Sequence, residues 1–180
     1  MDSTLLLTAI DFAARKHRDQ RRKDPEKTPY INHPIAVALL VAGVGVVVDA
    51  VTILAAVLHD TVEDTDTSFA ELEATFGRDV RDVVAEVTDD KTLPKAERKR
   101  LQIEHAPRAS QRGKIVKLAD KTCNVIDVSN SPPPDWSVER RREFLDWSSA
   151  VVAGCRGAND ELEARFDREL ASARARIGSQ

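Results

Sequence analysis

The residues that could do chemistry lie at the end of one apolar segment. His59 and Asp60 close a run of valine, leucine and alanine over residues 50–58, and Glu63 and Asp64 follow within one turn. A helix built from that run would be buried, and buried charge is costly unless it is paired or coordinates a metal. In a continuous helix, residues three and four apart share a face, so Asp60 would stand beside both later acids. The pattern predicts a site that binds metal.

A plainer interpretation of this segment is the C-terminus of a helix. A histidine there interacts favourably with the negative end of the helix dipole, and His59 would then be a cap. Carboxylates at the same end are unfavourable, and Asp60, Glu63 and Asp64 all follow closely. The acids therefore favour the metal site over the cap.

Two other segments supply the same kinds of side chain. His33 stands immediately before a proline, which is favoured in the first turn of a helix, so His33 is expected at a helix entrance. Asp120 lies in an amphipathic helical stretch. Taken singly, the first could be a helix cap and the second a surface acid. Two imidazoles and two carboxylates together suit a divalent metal. We expect one divalent ion, with room for water, on His33, His59, Asp60 and Asp120.

Six longer motifs cover most of the chain. They are FAARKH (12–17), QRRKDP (20–25), TPYINHP (28–34), LHDTVEDTD (58–66), EVTDDKTLP (86–94) and VKLADK (116–121). Together they resemble the His-Asp (HD) phosphohydrolase superfamily, and more closely its RelA/SpoT-type hydrolase domain in the stand-alone, hydrolase-only form of metazoans. The resemblance implies an all-α, compact multi-helix HD-domain fold. It implies a single HD-type hydrolase domain over residues 1–180, with its core at about 4–176.

The resemblance also implies roles for residues near the expected metal. Glu63 and Asp64 would act in catalysis without being main metal ligands, one of them orienting or deprotonating the attacking water. The metal in such proteins is usually manganese. The residues alone do not choose among divalent metals, although ligation without thiolates makes zinc less obvious. A bound divalent cation would supply hydroxide near neutral pH by lowering the pKa of its water.

Substrate binding has a separate signal in the basic cluster at residues 21–23, within a chain of net charge −3. Such a cluster suits a phosphate-rich anion, because arginine grips phosphate and stacks on bases. The plainer interpretation is a solvated run of charge. The resemblance favours binding, since Arg22 and Lys23 match an Arg-Lys pair beside the base and phosphates. It further matches Asn124 to a ribose contact and Lys95 to a contact with a distal phosphate.

The implied reaction removes the 3′-pyrophosphate of guanosine tetra- or pentaphosphate, (p)ppGpp, and releases pyrophosphate with GDP or GTP. Removal of the 2′-phosphate of NADPH is a second expected activity. The alternatives are another nucleotide phosphohydrolase of the superfamily, such as a nucleoside monophosphatase, and a non-catalytic alarmone-binding module. The basic loop argues against the first, and the intact Glu63–Asp64 pair argues against the second. Residues 122–126 and Phe144 depart from the family pattern, which bears on the shape of the nucleotide pocket.

Composition agrees with one compact, cytoplasmic domain. The chain has 180 residues, 42% hydrophobic and 32% charged, enough for a sizeable core. Its negative net charge and 4% aromatic content argue against a nucleic-acid partner. The longest apolar run, 35–48, contains two glycines and is too short to span a bilayer, so no membrane partner is expected. The partner we expect is a small nucleotide, and the assembly we consider is a homodimer.

The elements that must position these residues are predicted as helices. Ser3 and Ser110 are predicted caps, and Ser68 with Glu71 forms a capping box. The valines of 44–48 are predicted to make a buried turn, and 98–100 a solvated helix face. The predicted helices span residues 4–17, 34–42, 50–61, 69–76, 78–87, 94–104, 111–128, 136–153 and 159–176.

Overall fold

The computed structural model describes residues 2–178, and its regular elements there are helical. The one β-type pairing in this range is an isolated bridge between Arg21 and Pro29. This confirms the all-α prediction. A π-helical turn, Leu40–Val44, extends the α-helix that ends at Leu39, and a 3-10 turn, Ala106–Arg108, follows the α-helix that ends at His105. The α-helices are α1 Ser3–Lys16, α2 Asn32–Leu39, α3 Ala50–Leu58, α4 Thr61–Asp64, α5 Phe69–Phe76, α6 Arg78–Val87, α7 Lys95–His105, α8 Gln111–Asn130, α9 Val138–Ala153 and α10 Asp160–Gly178.

Helices α3 and α8 form the centre of the molecule. Every residue of α3 from Thr52 to Leu58 is buried, as expected for a helix that is apolar on all sides. Helix α8 packs against α2, α3, α6, α9 and α10, and it buries even Lys117 and Lys121. The end of α3 and the middle of α8 therefore bring their side chains together inside the protein.

Side-chain caps explain where several helices begin. The Ser68 hydroxyl accepts a hydrogen bond from the Glu71 N–H at 3.1 Å, and Ser110 caps α8 in the same way. The Ser110 cap and the Ser68 half of the predicted capping box are confirmed, and each satisfies one of the N–H groups that a helix start leaves unpaired. The Glu71 carboxylate pairs with Lys16. The predicted Ser3 cap is wrong, because Asp2 accepts the Thr4 N–H at 2.8 Å instead. Asp49 caps α3 through the Thr52 N–H.

The predicted helix over 50–61 is interrupted at the residues of most interest. Helix α3 ends at Leu58, His59 and Asp60 form a turn, and α4 begins at Thr61. The Thr61 hydroxyl donates to the Leu58 carbonyl at 2.6 Å, which satisfies a backbone acceptor at the break. The predicted end of this helix at residue 61 is therefore wrong, and the helix does not continue through all three acids. The turn directs His59 and Asp60 across the end of α3 while Glu63 and Asp64 belong to a separate short helix.

The valine-rich segment 44–48 is not the buried turn that was predicted. Val46 is 70% exposed and has a positive φ of 51°, which is unfavourable for a β-branched residue. The reason is the preceding π-helical turn, which ends at Gly45 against Leu162 and turns the chain outward.

Between residues 2 and 178, we find no helix long and apolar enough to cross a membrane.

Two phenylalanines allow the core to be tested with a matched pair. Phe166 on α10 is fully buried, whereas Phe69 on α5 is 37% exposed. Phe166→Ala should lower the free energy of unfolding by about 3–5 kcal/mol, because it leaves a cavity in the core. Phe69→Ala should cost much less. Urea denaturation followed by circular dichroism measures both, and equal losses would contradict this assignment of the core.

Candidate active site

Two histidines and two aspartates face one another in the interior. The His33 Nε2 atom lies 3.1 Å from Asp120 Oδ1 and 3.7 Å from Asp60 Oδ2. The His59 Nε2 atom lies 3.1 Å from Asp60 Oδ2 and 3.8 Å from Asp120 Oδ1. His33 comes from the start of α2, His59 and Asp60 from the turn after α3, and Asp120 from α8. The four predicted metal residues are thus gathered from three parts of the chain.

The donor atoms of this cluster suit a divalent cation. The Nδ1 atom of His59 lies 2.8 Å from the Ala56 carbonyl oxygen, so it carries the proton and leaves the Nε2 lone pair facing the cluster. That Nε2 atom is buried without a hydrogen-bond partner among residues 2–178. Ligand atoms of His33, His59 and Asp60 all lie within 4.8 Å of one another. Asp120 Oδ1 lies 3.1 Å from His33 Nε2 and 3.8 Å from His59 Nε2.

The cluster keeps its carboxylates ionised in spite of burial. Burial raises the pKa of Asp60, yet the charge of His59, whose Nε2 lies 3.1 Å away, lowers it well below its ordinary value. Burial likewise opposes ionisation of Asp120, and the charges of Lys121 and His33 outweigh it, so its pKa is also lowered. Burial lowers the pKa of His59, but Asp60 and Asp120 raise it to about 9. The two acids therefore favour a positive charge between them.

Neighbouring polar groups fix the two aspartates. The Tyr30 hydroxyl lies 2.7 Å from Asp60 Oδ2 and 3.2 Å from an oxygen of Asp64. Burial raises the pKa of the Tyr30 phenol, so it stays neutral and donates. The Asn124 amide donates to Asp120 Oδ1 at 2.5 Å. Tyr30 was not predicted as a site residue, although it belongs to the TPYINHP motif.

Glu63 and Asp64 lie beside this cluster. One Glu63 oxygen accepts the Asp89 N–H at 2.9 Å, and the other lies 3.6 Å from Lys91 Nζ and 4.0 Å from an Arg98 nitrogen. Burial raises the pKa of Glu63 to about 7. Both acids line a small cavity of about 150 Å³ shared with the four cluster residues, and both also line a larger cleft. They stand where the two spaces meet.

Arg98 is a site neighbour that the sequence prediction misplaced. Residues 98–100 were predicted as a solvated face, but the Arg98 side chain is only 24% exposed and faces Glu63. Lys99 lies over the Trp147 ring, 4.7 Å from its centroid. Only Arg100 of the three is exposed, paired with neighbouring glutamates. The reason is that α7 packs against α9, which turns two of these cations inward.

The larger cleft measures about 610 Å³ and combines charge with aromatic surface. Arg22, Lys23 and Asn124 line it, as the sequence led us to expect of substrate-binding residues. Its far wall includes Trp136 and Phe144, whose rings lie 5.4 Å apart. Further lining residues that were not predicted are Arg21, Tyr30, Lys91 and Asp127. The other predicted residue, Lys95, is exposed at the start of α7 and is not part of this lining.

Arg22 is held in the wall of the cleft. Its guanidinium donates to the Asp127 carboxylate and lies 5.5 Å from the centre of the Tyr30 ring. Its backbone N–H donates to the Thr28 carbonyl at 2.8 Å. Lys23 next to it is exposed. The two basic neighbours therefore differ: the Arg22 guanidinium is held by its partners, and Lys23 is an exposed charge.

Comparison with known proteins agrees with this geometry. The family model described as "HD domain" matches residues 9–146. A protein of Xenopus tropicalis named guanosine-3′,5′-bis(diphosphate) 3′-pyrophosphohydrolase MESH1 is 57% identical over 166 residues, covering 92% of this chain and 93% of its own. The human protein of the same name is 56% identical over 162 residues, 90% of each chain. A solved structure, of a metazoan SpoT orthologue said to hydrolyse ppGpp, superposes with a TM-score of 0.92 at 46% identity, covering 95% of this chain and 96% of that one.

Removing the charge of Glu63 should change how stability depends on pH in the metal-free protein. Its pKa is about 7 when folded and 4.5 ordinarily, so its stabilising effect is complete below pH 4.5 and is lost as pH rises through 7. The difference in free energy of unfolding, Glu63→Gln minus wild type, should therefore rise by about 1–3 kcal/mol as the pH is raised from 4.5 to 8.

Urea denaturation in chelator at several pH values measures this gain. Glu26→Gln, on an exposed loop, serves as the control for loss of a carboxylate. If the difference in free energy of unfolding between wild type and Glu63→Gln stays constant from pH 4.5 to 8, burial does not raise the pKa of Glu63.

Proposed function

Since the chain belongs to the HD-domain family, we propose that it is a metal-dependent hydrolase that removes the 3′-pyrophosphate of (p)ppGpp. The products are pyrophosphate and GDP or GTP. The observation that carries this proposal is the junction at Glu63 and Asp64, where a buried His-Asp cluster opens into a basic cleft. Relatives that match over most of the chain are named for this reaction.

The metal ligands in this proposal are His33, His59, Asp60 and Asp120. When bound, a divalent ion would lower the pKa of a water and neutralise charge on a phosphoryl oxygen. We propose manganese as that ion because the resembled RelA/SpoT-type domains usually bind it, and a donor set of imidazole and carboxylate without thiolate is compatible with it. The chain's own contribution is the burial of these ligands and the hydrogen bonds that hold their orientation.

Glu63 and Asp64 act on the attacking water. In the metal-free protein, burial raises the pKa of Glu63 to about 7, which suits a group that accepts a proton near neutral pH. The Tyr30 hydroxyl orients Asp64 and also contacts Asp60. One side chain therefore fixes the position of a proposed catalytic acid relative to a proposed metal ligand. Water reaches these acids from the cleft, whose lining they share.

The cleft takes the nucleotide. Its volume of about 610 Å³ lies within the range usual for ligand pockets. Its basic side, with Lys23 at the rim and Arg22 in the wall, suits the phosphates and the base, while Asn124 lies between the cleft and the cluster, where a ribose would sit. Lys95 would act only on a phosphate that extends to the exposed start of α7.

A cytoplasmic location and a homodimer also stay predictions.

A second activity on NADPH is favoured by the aromatic wall. Trp136 and Phe144 offer ring surface away from the metal cluster, which suits a dinucleotide with a second ring system. A nucleoside monophosphatase would have no use for a cleft of this length and charge. A non-catalytic alarmone-binding module would not need an ionisable acid pair at the junction.

The first test of this function separates metal binding from catalysis. Asp60→Ala should abolish both manganese content and hydrolysis of guanosine tetraphosphate, because it removes a ligand. Glu63→Gln should keep the metal and lower turnover by about 10²–10⁴, the usual effect of losing a general acid or base. Metal analysis and turnover are measured on the same samples, with circular dichroism as a check on folding.

Two outcomes would overturn these roles. Full turnover by verified metal-free wild type would exclude a metal-dependent reaction. Loss of metal from Glu63→Gln as complete as from Asp60→Ala would make Glu63 a ligand.

The second test concerns recognition by the basic cluster. Neutralising Arg22 and Lys23 together should raise KM for guanosine tetraphosphate more than tenfold, since each charge-assisted contact contributes about 1.5–3 kcal/mol. KM for 4-nitrophenyl phosphate, which reaches only the metal, should change little. Arg18→Gln, an exposed arginine paired with Asp19, is the matched control. Equal losses on both substrates would mean that the cluster supports the structure of the site.

A further inference from the structure

Lys91 connects the acid pair to the cleft. Its ammonium donates to one oxygen of Asp64 and lies 3.6 Å from an oxygen of Glu63. The same side chain lines the cleft and is 47% exposed. It therefore touches both proposed catalytic acids and remains accessible to a ligand that enters.

The contact with Asp64 is of a kind that a polyanion can displace. Lys91 is 47% exposed and Asp64 is 24% exposed, so the pair lies at the edge of the cleft. Ion pairs that reach solvent contribute little, about 0–1 kcal/mol, because water screens them and the lysine must be ordered. A lysine has a flexible stem and a compact charge, so it can change partners with small movements. A pyrophosphate group carries several negative charges, whereas Asp64 carries one. Lys91 should therefore prefer a phosphate that lies in the cleft.

The acids keep other partners if Lys91 leaves. Arg98 stays 4.0 Å from Glu63, and the Asp89 N–H still donates to that carboxylate. The Tyr30 hydroxyl still lies 3.2 Å from Asp64. What changes is one oxygen of Asp64, which loses its cation and becomes available as a hydrogen-bond acceptor for water.

Partial burial lowers the pKa of Lys91, but the hydrogen bond and charge of Asp64, with the charge of Glu63, raise it above its ordinary value. Lys91 is thus a cation in either arrangement. Resting on the function proposed above, we propose that Lys91 binds the pyrophosphate group of the substrate, that Asp64 holds it in the free protein, and that its transfer to phosphate releases Asp64 toward the attacking water.

The test measures binding of inorganic pyrophosphate by isothermal titration calorimetry to manganese-loaded, desalted full-length protein. Lys91→Met should weaken this binding about tenfold or more, the effect of one lost charge-assisted contact. Lys91→Arg should restore most of it. Lys27→Met, an exposed lysine outside the lining of the cleft, is the control. Manganese content and thermal stability are checked for each variant.

A double-mutant cycle tests the exchange of partners. Asp64→Asn should tighten pyrophosphate binding severalfold, because it sets Lys91 free, and this gain should disappear when Lys91→Met is also present. Asp24→Asn removes another carboxylate that lines the cleft, and its effect should be the same with or without Lys91. If Asp64→Asn tightens pyrophosphate binding equally when Lys91→Met is also present, the gain comes from the lost negative charge alone. That result would overturn the exchange of partners by Lys91.

Failure of the exchange and failure of the proposed function give different results. If pyrophosphate binding depends on Lys91 but the wild type does not hydrolyse guanosine tetraphosphate, the phosphate-binding role of Lys91 is kept and the proposed reaction is rejected. Hydrolysis by wild type with unchanged pyrophosphate affinity in Lys91→Met would keep the reaction and reject the role of Lys91.

Discussion

The structure depends on the burial of Asp60 and Asp120 opposite two histidines. Isolated buried carboxylates would be too costly to keep ionised, so a positive charge must stand between them. The facing imidazoles and Lys121 provide this charge in the chain itself. A divalent metal satisfies the same requirement with the geometry that His33 and His59 offer. The turn after α3, the entrance of α2 and the middle of α8 are all arranged around this constraint.

Around the junction between the small cavity and the cleft, each acidic side chain is paired with a nearby cation. Glu63 faces Arg98 and Lys91, Asp64 faces Lys91, and Asp127 in the wall holds Arg22. Arg22, Lys91 and Arg98 are thus already paired in the free protein, whereas Lys23 is exposed at the rim of the cleft. We expect a nucleotide to compete for the paired cations, which would favour substrates with a pyrophosphate over simple phosphoesters.

Local patterns in the sequence predict those parts of the molecule that depend on neighbours along the chain. Helix α6 matches its predicted bounds, and the cap at Ser68 and the stop at Gly77 are confirmed. The four residues that we propose as metal ligands could be singled out, and their proximity predicted, because each lies in a distinctive motif. The break at His59 could not, since it depends on a hydrogen bond from Thr61 and on packing at the end of a buried helix. Lys91, Arg98 and Asp127 were missed for a similar reason: their partners lie far along the chain, and a charged residue in a polar segment carries no sign of what it will face.

We expect one metal ion between two imidazoles and two carboxylates, apart from the two acids that we propose act on water. Anomalous diffraction at the manganese absorption edge, from crystals of the wild-type protein grown with manganese, locates such an ion. One strong peak should lie at about 2 Å from donor atoms of His33, His59, Asp60 and Asp120, with Glu63 and Asp64 outside bonding distance. A peak bonded to Glu63 and Asp64, or one that leaves out either histidine, would contradict it.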